Sequence, residues 1–436
     1  MYTIRPLVGV KKAIVVPADK SISHRAVMLA SLAKGMTRIE PILLGDDIMA
    51  TIDCMKRLGV SVSFDGASVS VAGSGLFFPK TEKITLYAHE SGTTMRILSG
   101  ILCGQKFPVS FDAAIALRKR PMSRVTVPLR AMAADITGHP QGNEEYPPLS
   151  VRPVKKMKGI TYALPVASAQ VKSAILCASL YAKGTTVVRE SIVSRDHTER
   201  MLKFFGARIR RQGRTVFCQP SALRPPQEPL FIPSDFSSAA FFIVLGAITK
   251  KSEITMRMVN TNPTRCGLLK VLRRMGAHIT LRNRKEYFEP YADIISKSSA
   301  LSGVEVNEKE IPLLVDDIPV LCVAASFAKG KTVIRGVKEL KVKETDRIHS
   351  MVYNLRQAGV DIKTASYIKD GQSDWLIEIN GTGNFRGSDF KSFSDHRTAM
   401  SSVILGLASG GVSTLDDIHC INKSFPQFIS LVESLY

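Results

Sequence analysis

The stretch HRAVMLASLAKGMTRIEPILLGDDIMATIDCMKRLGVSVSF, residues 24–64, contains one whole structural unit. Together with the preceding Ile22, the residues Ala26, Leu29, Ala30 and Ala33 make an apolar stripe at helical spacing, and Gly35 breaks it. Met36 to Ile39 then reads as a strand. A second helix follows, with Ile48, Ile52 and Met55 on one face, before Val60, Val62 and Phe64 alternate as a further strand. The same order of elements returns in AQVKSAILCASLYAKGTTVVRESIVSRDHTERMLKFFGARI (169–209), in 237–281 and in 316–362, with looser copies opening at Gly92 and Asp395. A period of about 70 to 80 residues is too long for a solenoid and fits a duplicated βαβ-type subdomain, so the fold class is α/β. Six copies suggest two domains of three. The proline-marked segments VVPADK (15–20) and FIPSDF (231–236) sit in matching places before the first and fourth copies. We therefore expect residues 1–18 with 236–436 to form one domain, its N-terminal strand joining the last three units, and 19–235 to form the other. A site shared by them is expected in the cleft between.

At 436 residues, 45% of them hydrophobic, the chain can build more than one full core, which excludes disordered and fibrous classes. The formal net charge of +21 favours an anionic partner: nucleic acid, a charged surface or small anionic substrates. Long Lys/Arg-only runs and interleaved aromatics are missing, however, and only 7% of residues are aromatic, which argues against nucleic acid. Seven cysteines, at 54, 103, 177, 218, 266, 322 and 420, make no CxxC and no Cys/His cluster, so neither a zinc site nor a disulfide framework is expected. No run approaches the ~18 apolar residues of a membrane span. The expectation is a soluble cytoplasmic protein.

Short polar bursts recur at the mouths of the repeats: DKSISHR (19–25), ESGTTMR (90–96), RKRPM (118–122), SAQVK (168–172), VKETDR (342–347) and SDHR (394–397). A helix start favours anions, so Lys20 and Arg25 there are the wrong sign for helix stability and suit an external anion such as phosphate. Gly92 would let backbone N–H groups approach such a ligand, with Thr93, Thr94 and Arg96 as donors. In LLVDDIPVL (313–321), Asp316 and Asp317 interrupt an apolar run, where burial could prepare a carboxylate for proton transfer. Taken singly, each burst also fits a plain element of structure: a solvated helix end, an ion pair of Lys343 or Arg347 with Glu344 or Asp346, an N-cap. Taken together, at equivalent places of a sixfold repeat, they describe a polyanion site. P-loop, GxGxxG, HExxH and GxSxG motifs are absent, which leaves a group-transfer enzyme acting on small anions.

The motifs DKSISHR, SGTTMR, RPM, SAQVK, RDHTE, NPTR, VKETDR and DHR closely resemble those of the 3-phosphoshikimate 1-carboxyvinyltransferase (EPSP synthase) family, over essentially the whole chain. That resemblance implies the enolpyruvyl transferase fold, two inside-out α/β barrel domains each of three βαβαββ units. It also implies transfer of the enolpyruvyl group of phosphoenolpyruvate to the 5-hydroxyl of shikimate-3-phosphate by addition and elimination, with no metal or organic cofactor and with a monomeric enzyme. Carried over by motif, Lys20, Gly92, Arg96, Arg120, Gln170, Arg347, Arg397 and Lys423 would bind phosphoenolpyruvate. Lys20, Ser21, Arg25, Ser168, Ala169, Gln170, Asp316 and Lys343 would bind shikimate-3-phosphate. Asp316 looks like the base for the attacking hydroxyl, and Glu344 with Lys20 like the groups that handle the methylene proton. Glu90 stands where the family usually has Asn and Ala18 where Gly is usual, and FDAAIALRKRPM (111–122) is slightly longer than the family's approach to RPM. Several motifs look like the family's second class, often tolerant of glyphosate, whereas Gly92 is the small residue associated with sensitivity; the sequence leaves tolerance open. The related UDP-N-acetylglucosamine enolpyruvyltransferases carry a cysteine ahead of Arg-Pro, which AAIALRKRP (113–121) lacks.

Overall fold

The computed structural model describes residues 1–369, 371–383 and 385–436. Within it the chain packs as two units, an inserted one, Ala18–Ile232, and a terminal one made of Met1–Pro17 with Pro233–Tyr436.

Each unit holds three inner helices. In the inserted unit these are α1 (Lys20–Leu32), α2 (Gly92–Leu102) and α3 (Ala169–Ser179). In the terminal unit they are α4 (Phe236–Ile248), α5 (Ile318–Phe327) and α6 (His396–Ala408). A helix apolar on all sides belongs inside a protein, and α4 and α5 are of that kind. Burial runs unbroken from Phe236 to Ala247 and from Ile318 to Ser326. For α1 the one-sided stripe read from the sequence is too narrow, since every residue from Ile22 to Leu32 is buried. Its hydroxyls tolerate this by bonding back along the helix: Ser23 Oγ donates to Asp19 O at 2.8 Å and Ser31 Oγ to Val27 O at 2.8 Å. Between α2 and α3 the backbones touch. A Cβ at Gly100 would lie 2.1 Å from the carbonyl oxygen of Ala174, so only glycine permits that approach.

The sheets lie outside the helices and repeat one topology. In the second repeat, Ile84–Tyr87 runs parallel to Val109–Asp112, followed by the antiparallel strands Glu144–Arg152 and Asp135–Gln141. The third repeat has the same order in Thr161–Leu164, Thr186–Glu190, Thr215–Cys218 and Ile209–Gln212. So does the fifth, in Glu305–Val306, Gly330–Arg335, Gln372–Gly381 and Asp361–Lys369. Where the chain enters or leaves a unit, the parallel strand comes from a distance. Lys11–Ile14 supplies it to the fourth repeat, beside Glu253–Asn260, and Leu230 bridges to Ile39 in the first. In the sixth repeat, Tyr2–Ile4 pairs antiparallel with Ser413–Leu415. The N-terminal strands therefore belong to the terminal unit.

Candidate active site

Five of the six inner helices begin at a capping side chain. Asp19 accepts from Ile22 N at 3.0 Å, Ser91 from Thr94 N at 3.2 Å and Ser168 from Val171 N at 3.4 Å. Asp235 and Asp395 cap α4 and α6 in the same way. No acidic residue occupies the first turn of any of these helices. At α1, α4 and α6 the capping carboxylate itself meets the positive helix end, whereas α2 and α3 have neutral serine caps and leave theirs to anions from elsewhere.

In the inserted unit, α2 and α3 bring one group together. Arg96 Nη1 donates to Gln170 Oε1 at 2.8 Å, and Gln170 Nε2 to Thr93 Oγ1 at 2.9 Å. The Cβ position of Gly92 is 3.0 Å from Arg96 Nη1 and 3.1 Å from Arg120 Nη1, which adds the RPM arginine. The segment before that arginine forms a short helix, Ile115–Arg118, whose Arg118 pairs with Asp112. On α1, Lys20 Nζ lies 2.5 Å from Asp47 Oδ2. Arg25 turns inward: Nε donates to Thr198 Oγ1 (2.7 Å), Nη1 to Ser21 O (2.7 Å) and Nη2 to Ser173 Oγ (2.9 Å), and burial lowers its pKa to about 10. This ties α1 to α3 and to the RDHTE helix, His197–Phe204. Glu90 is exposed at the turn before α2.

The terminal unit gathers a second group around Asp316, whose side chain is 18% exposed. Its Oδ1 lies 3.5 Å from Arg347 Nη1 and 3.8 Å from Lys343 Nζ. Arg347 also holds Glu344 through Nη2 (2.6 Å) and Asp395 through Nε (2.8 Å). Burial opposes the Arg347 charge, yet Asp395, Glu344 and Asp316 outweigh it and raise its pKa above the usual range. Lys343 goes the other way, because burial lowers its pKa although Asp316 and Glu339 resist. Arg397 Nη1 donates to the backbone oxygen of Asp316 at 3.0 Å. Lys423 ends the short 3-10 helix His419–Lys423, which packs on α6. Asp346 caps the helix Arg347–Gln357, which leaves Lys343 and Glu344 in the preceding loop.

Two groups that the sequence reading passed over stand behind these. Thr51, Thr94 and Ser91 form a buried hydroxyl chain from His24, with steps of 2.7 Å from His24 Nδ1 to Thr51, Thr51 to Thr94 and Thr94 to Ser91. Nothing in the spacing marks Thr51, which lies on the second helix of the first repeat. Lys172 of SAQVK is no mouth cation. It is fully buried, 3.1 Å from Glu190 and 2.8 Å from Glu199, with Arg211 closing the network. Burial, then Lys20 and Arg25, push the His24 pKa well below its ordinary 6.5. An unfolded chain takes up this proton below that value and the folded one does not, so stability should fall with pH below 6.5, by up to about 1.4 kcal/mol per unit. His24→Gln should flatten that slope in urea unfolding between about pH 5 and 7; an unchanged slope would place its origin in another group.

Residues 4–431 match the family described as EPSP synthase (3-phosphoshikimate 1-carboxyvinyltransferase). The chain belongs to this family. It is 45% identical over 426 residues to the 3-phosphoshikimate 1-carboxyvinyltransferase of Thermoanaerobacter sp. strain X514, covering 98% of this chain and 97% of that protein. With the same enzyme of Geotalea uraniireducens it is 44% identical over 435 residues, 100% and 99% of the two chains. Among solved structures, an EPSP synthase from Acinetobacter baumannii is similar at TM-score 0.86 and 39% identity, over 99% of this chain and 97% of that one. The enolpyruvyl transferase NikO from Streptomyces tendae, at TM-score 0.76 and 15% identity over 99% and 96%, shares the fold. Of the EPSP synthase site residues carried over by motif, Gly92, Arg96, Arg120 and Gln170 meet in the first side-chain group and Asp316, Lys343, Glu344, Arg347 and Arg397 in the second, whereas Lys20, Ser21 and Arg25 lie on α1, Ser168 and Ala169 open α3, and Lys423 ends His419–Lys423.

Proposed function

We propose that this chain carries out its family's reaction, a step of the shikimate pathway. The enolpyruvyl group of phosphoenolpyruvate passes to the 5-hydroxyl of shikimate-3-phosphate, giving 5-enolpyruvylshikimate-3-phosphate and phosphate. The observation that carries this reading is Asp316: a part-exposed carboxylate held within 4 Å of Lys343 and Arg347, in a chain 45% identical to a named transferase. In the addition, the 5-hydroxyl oxygen bonds to C2 of phosphoenolpyruvate as Asp316 takes its proton, while C3 gains a proton through Glu344 with Lys20. In the elimination, the C2–O bond to phosphate breaks and C3 loses a proton, restoring the double bond. Lys20, Gly92, Arg96, Arg120, Gln170, Arg347, Arg397 and Lys423 hold phosphoenolpyruvate, their summed charge stabilising the polyanionic intermediate. Ser21, Arg25, Ser168, Ala169, Gln170 and Lys343, with Lys20 and Asp316, hold shikimate-3-phosphate. Residues of both units, Ala18–Ile232 and Met1–Pro17 with Pro233–Tyr436, contribute to the one reaction.

The enzyme works without a cofactor, as a cytoplasmic monomer. No helix among the described residues is long and apolar enough to cross a membrane. The test is phosphate release from phosphoenolpyruvate with and without shikimate-3-phosphate, with UDP-N-acetylglucosamine as rival acceptor. Release that depends on shikimate-3-phosphate is expected; dependence on the rival, or none at all, would overturn the reading.

A methyl at Gly92 would press on the ends of Arg96 and Arg120, at 3.0 and 3.1 Å, which can swing away but not stay in place. Gly92→Ala should therefore raise KM for phosphoenolpyruvate about tenfold and leave that for shikimate-3-phosphate nearly unchanged. Steady-state rates with each substrate varied in turn decide this, and an equal rise in both KM values would count against assigning this pair to phosphoenolpyruvate.

A further inference from the structure

We infer that Arg265 and Asp317 are a positioning pair that aims the Arg397 guanidinium at the phosphoenolpyruvate anion; the inference rests on the function proposed above. Arg265, last residue of the NPTR motif, is 1% exposed and reaches between the starts of α4 and α5. Its Nη2 faces Asp235 Oδ1 at 3.5 Å and donates to Ser237 Oγ, and its Nη1 faces Asp317 Oδ2 at 3.5 Å. Asp317 is also 1% exposed, and its other oxygen accepts from Ser237 Oγ and lies 3.5 Å from Arg397 Nη1. That same Nη1 donates to Asp316 O. One chain of contacts therefore runs from Arg265 through Asp317 to Arg397 and the backbone of Asp316.

Two features separate this arrangement from ordinary helix-end packing. Asp317 occupies the N-cap position of α5 yet makes no capping bond, whereas Asp235 and Asp395, at the same place on α4 and α6, both do. Its carboxylate is committed to the arginines instead. Buried ion networks are also poor stabilisers compared with apolar packing of the same volume, so two buried Asp–Arg contacts in series are explained better by orientation than by stability. The orientation has an evident use. Among the described residues only Nη1 of Arg397 takes protein partners, which leaves its other donors for a carboxylate or phosphate. Remove Arg265, and Asp317 Oδ2 loses the contact that holds it away from Arg397. The carboxylate is then free to turn both oxygens on Arg397, in competition with the substrate.

Arg265→Met keeps most of the side-chain volume and removes the fork. Steady-state kinetics should show KM for phosphoenolpyruvate raised about 10- to 100-fold, with kcat within about threefold and KM for shikimate-3-phosphate within about twofold of wild type. Ser237→Ala, which deletes one hydroxyl from the same chain, should raise KM for phosphoenolpyruvate about three- to tenfold, and it carries the test if Arg265→Met does not fold. A variant that melts earlier but keeps wild-type KM values, or one in which both KM values rise together, would overturn the positioning role. Wild-type protein without turnover would overturn the functional reading and this inference with it, whereas an active wild type with unaltered variants would remove this inference alone.

Discussion

Replacing Asp316 by alanine is expected to lower turnover about 10²- to 10⁴-fold while both substrates still bind. The arginines of the terminal unit that would hold phosphoenolpyruvate do not depend on Asp316 for their places. Arg347 keeps Asp395 at 2.8 Å and Glu344 at 2.6 Å, and Arg397 is anchored by a backbone oxygen that alanine retains. The proton acceptor is lost, and with it the carboxylate 3.8 Å from Lys343 Nζ. The variant should also carry a second mark. Burial already depresses the Lys343 pKa, and Asp316 is the foremost charge opposing that shift, so removing it lowers the pKa further. If the Lys343 charge is needed, the residual activity should decline at a lower pH on the alkaline side than wild-type activity does. Turnover near wild type would take the base assignment away from Asp316.

The second large effect is on stability. Lys172→Met should destabilise the inserted unit by about 3–5 kcal/mol, because it leaves Glu190 and Glu199 buried with Arg211 as the remaining cation of the network. Burial works to raise the Glu190 pKa, but Lys172, Ser194 and Arg211 outweigh it and hold the carboxyl below its usual value. Its contribution is therefore present above the ordinary carboxyl pKa and lost as pH falls through the depressed one. Adding Glu199→Gln to Lys172→Met should recover part of the loss in urea unfolding. If it recovers nothing, the loss came from packing rather than from uncompensated charge.

The repeat was legible because it is written in local patterns, with small-residue helices, glycine breaks and β-branched strands that each report on their own neighbourhood. Ile48, Ile52 and Met55 are buried as their spacing foretold. The α1 stripe was misjudged for the opposite reason. Burial of Ser23, His24 and Arg25 depends on partners from Asp19, Thr51, Ser173 and Thr198, most of them far away in the chain. Motif reading named Gly92, Arg96, Arg120 and Gln170 separately, and the fold brings them into contact. It could not tell Lys172, buried among carboxylates, from Lys20, which lies near the surface, since both follow a helix-opening serine or aspartate. Arg265 lies in NPTR, a motif that carries only the resemblance; its partner Asp235 caps the first helix of the same repeat, and Asp317 comes from the next.

The N-terminal strands have a consequence for synthesis. Lys11–Ile14 must wait for Glu253–Met256, and Tyr2–Ile4 for Ser413–Leu415, whereas every strand of the inserted unit finds its partners within 18–232. On a ribosome adding 5–20 residues per second, the first strand thus stays unpaired for roughly 20–80 s after it emerges, a period in which the inserted unit can already fold. The nascent chain therefore carries its N-terminal strands unpaired while the inserted unit that follows them can already close.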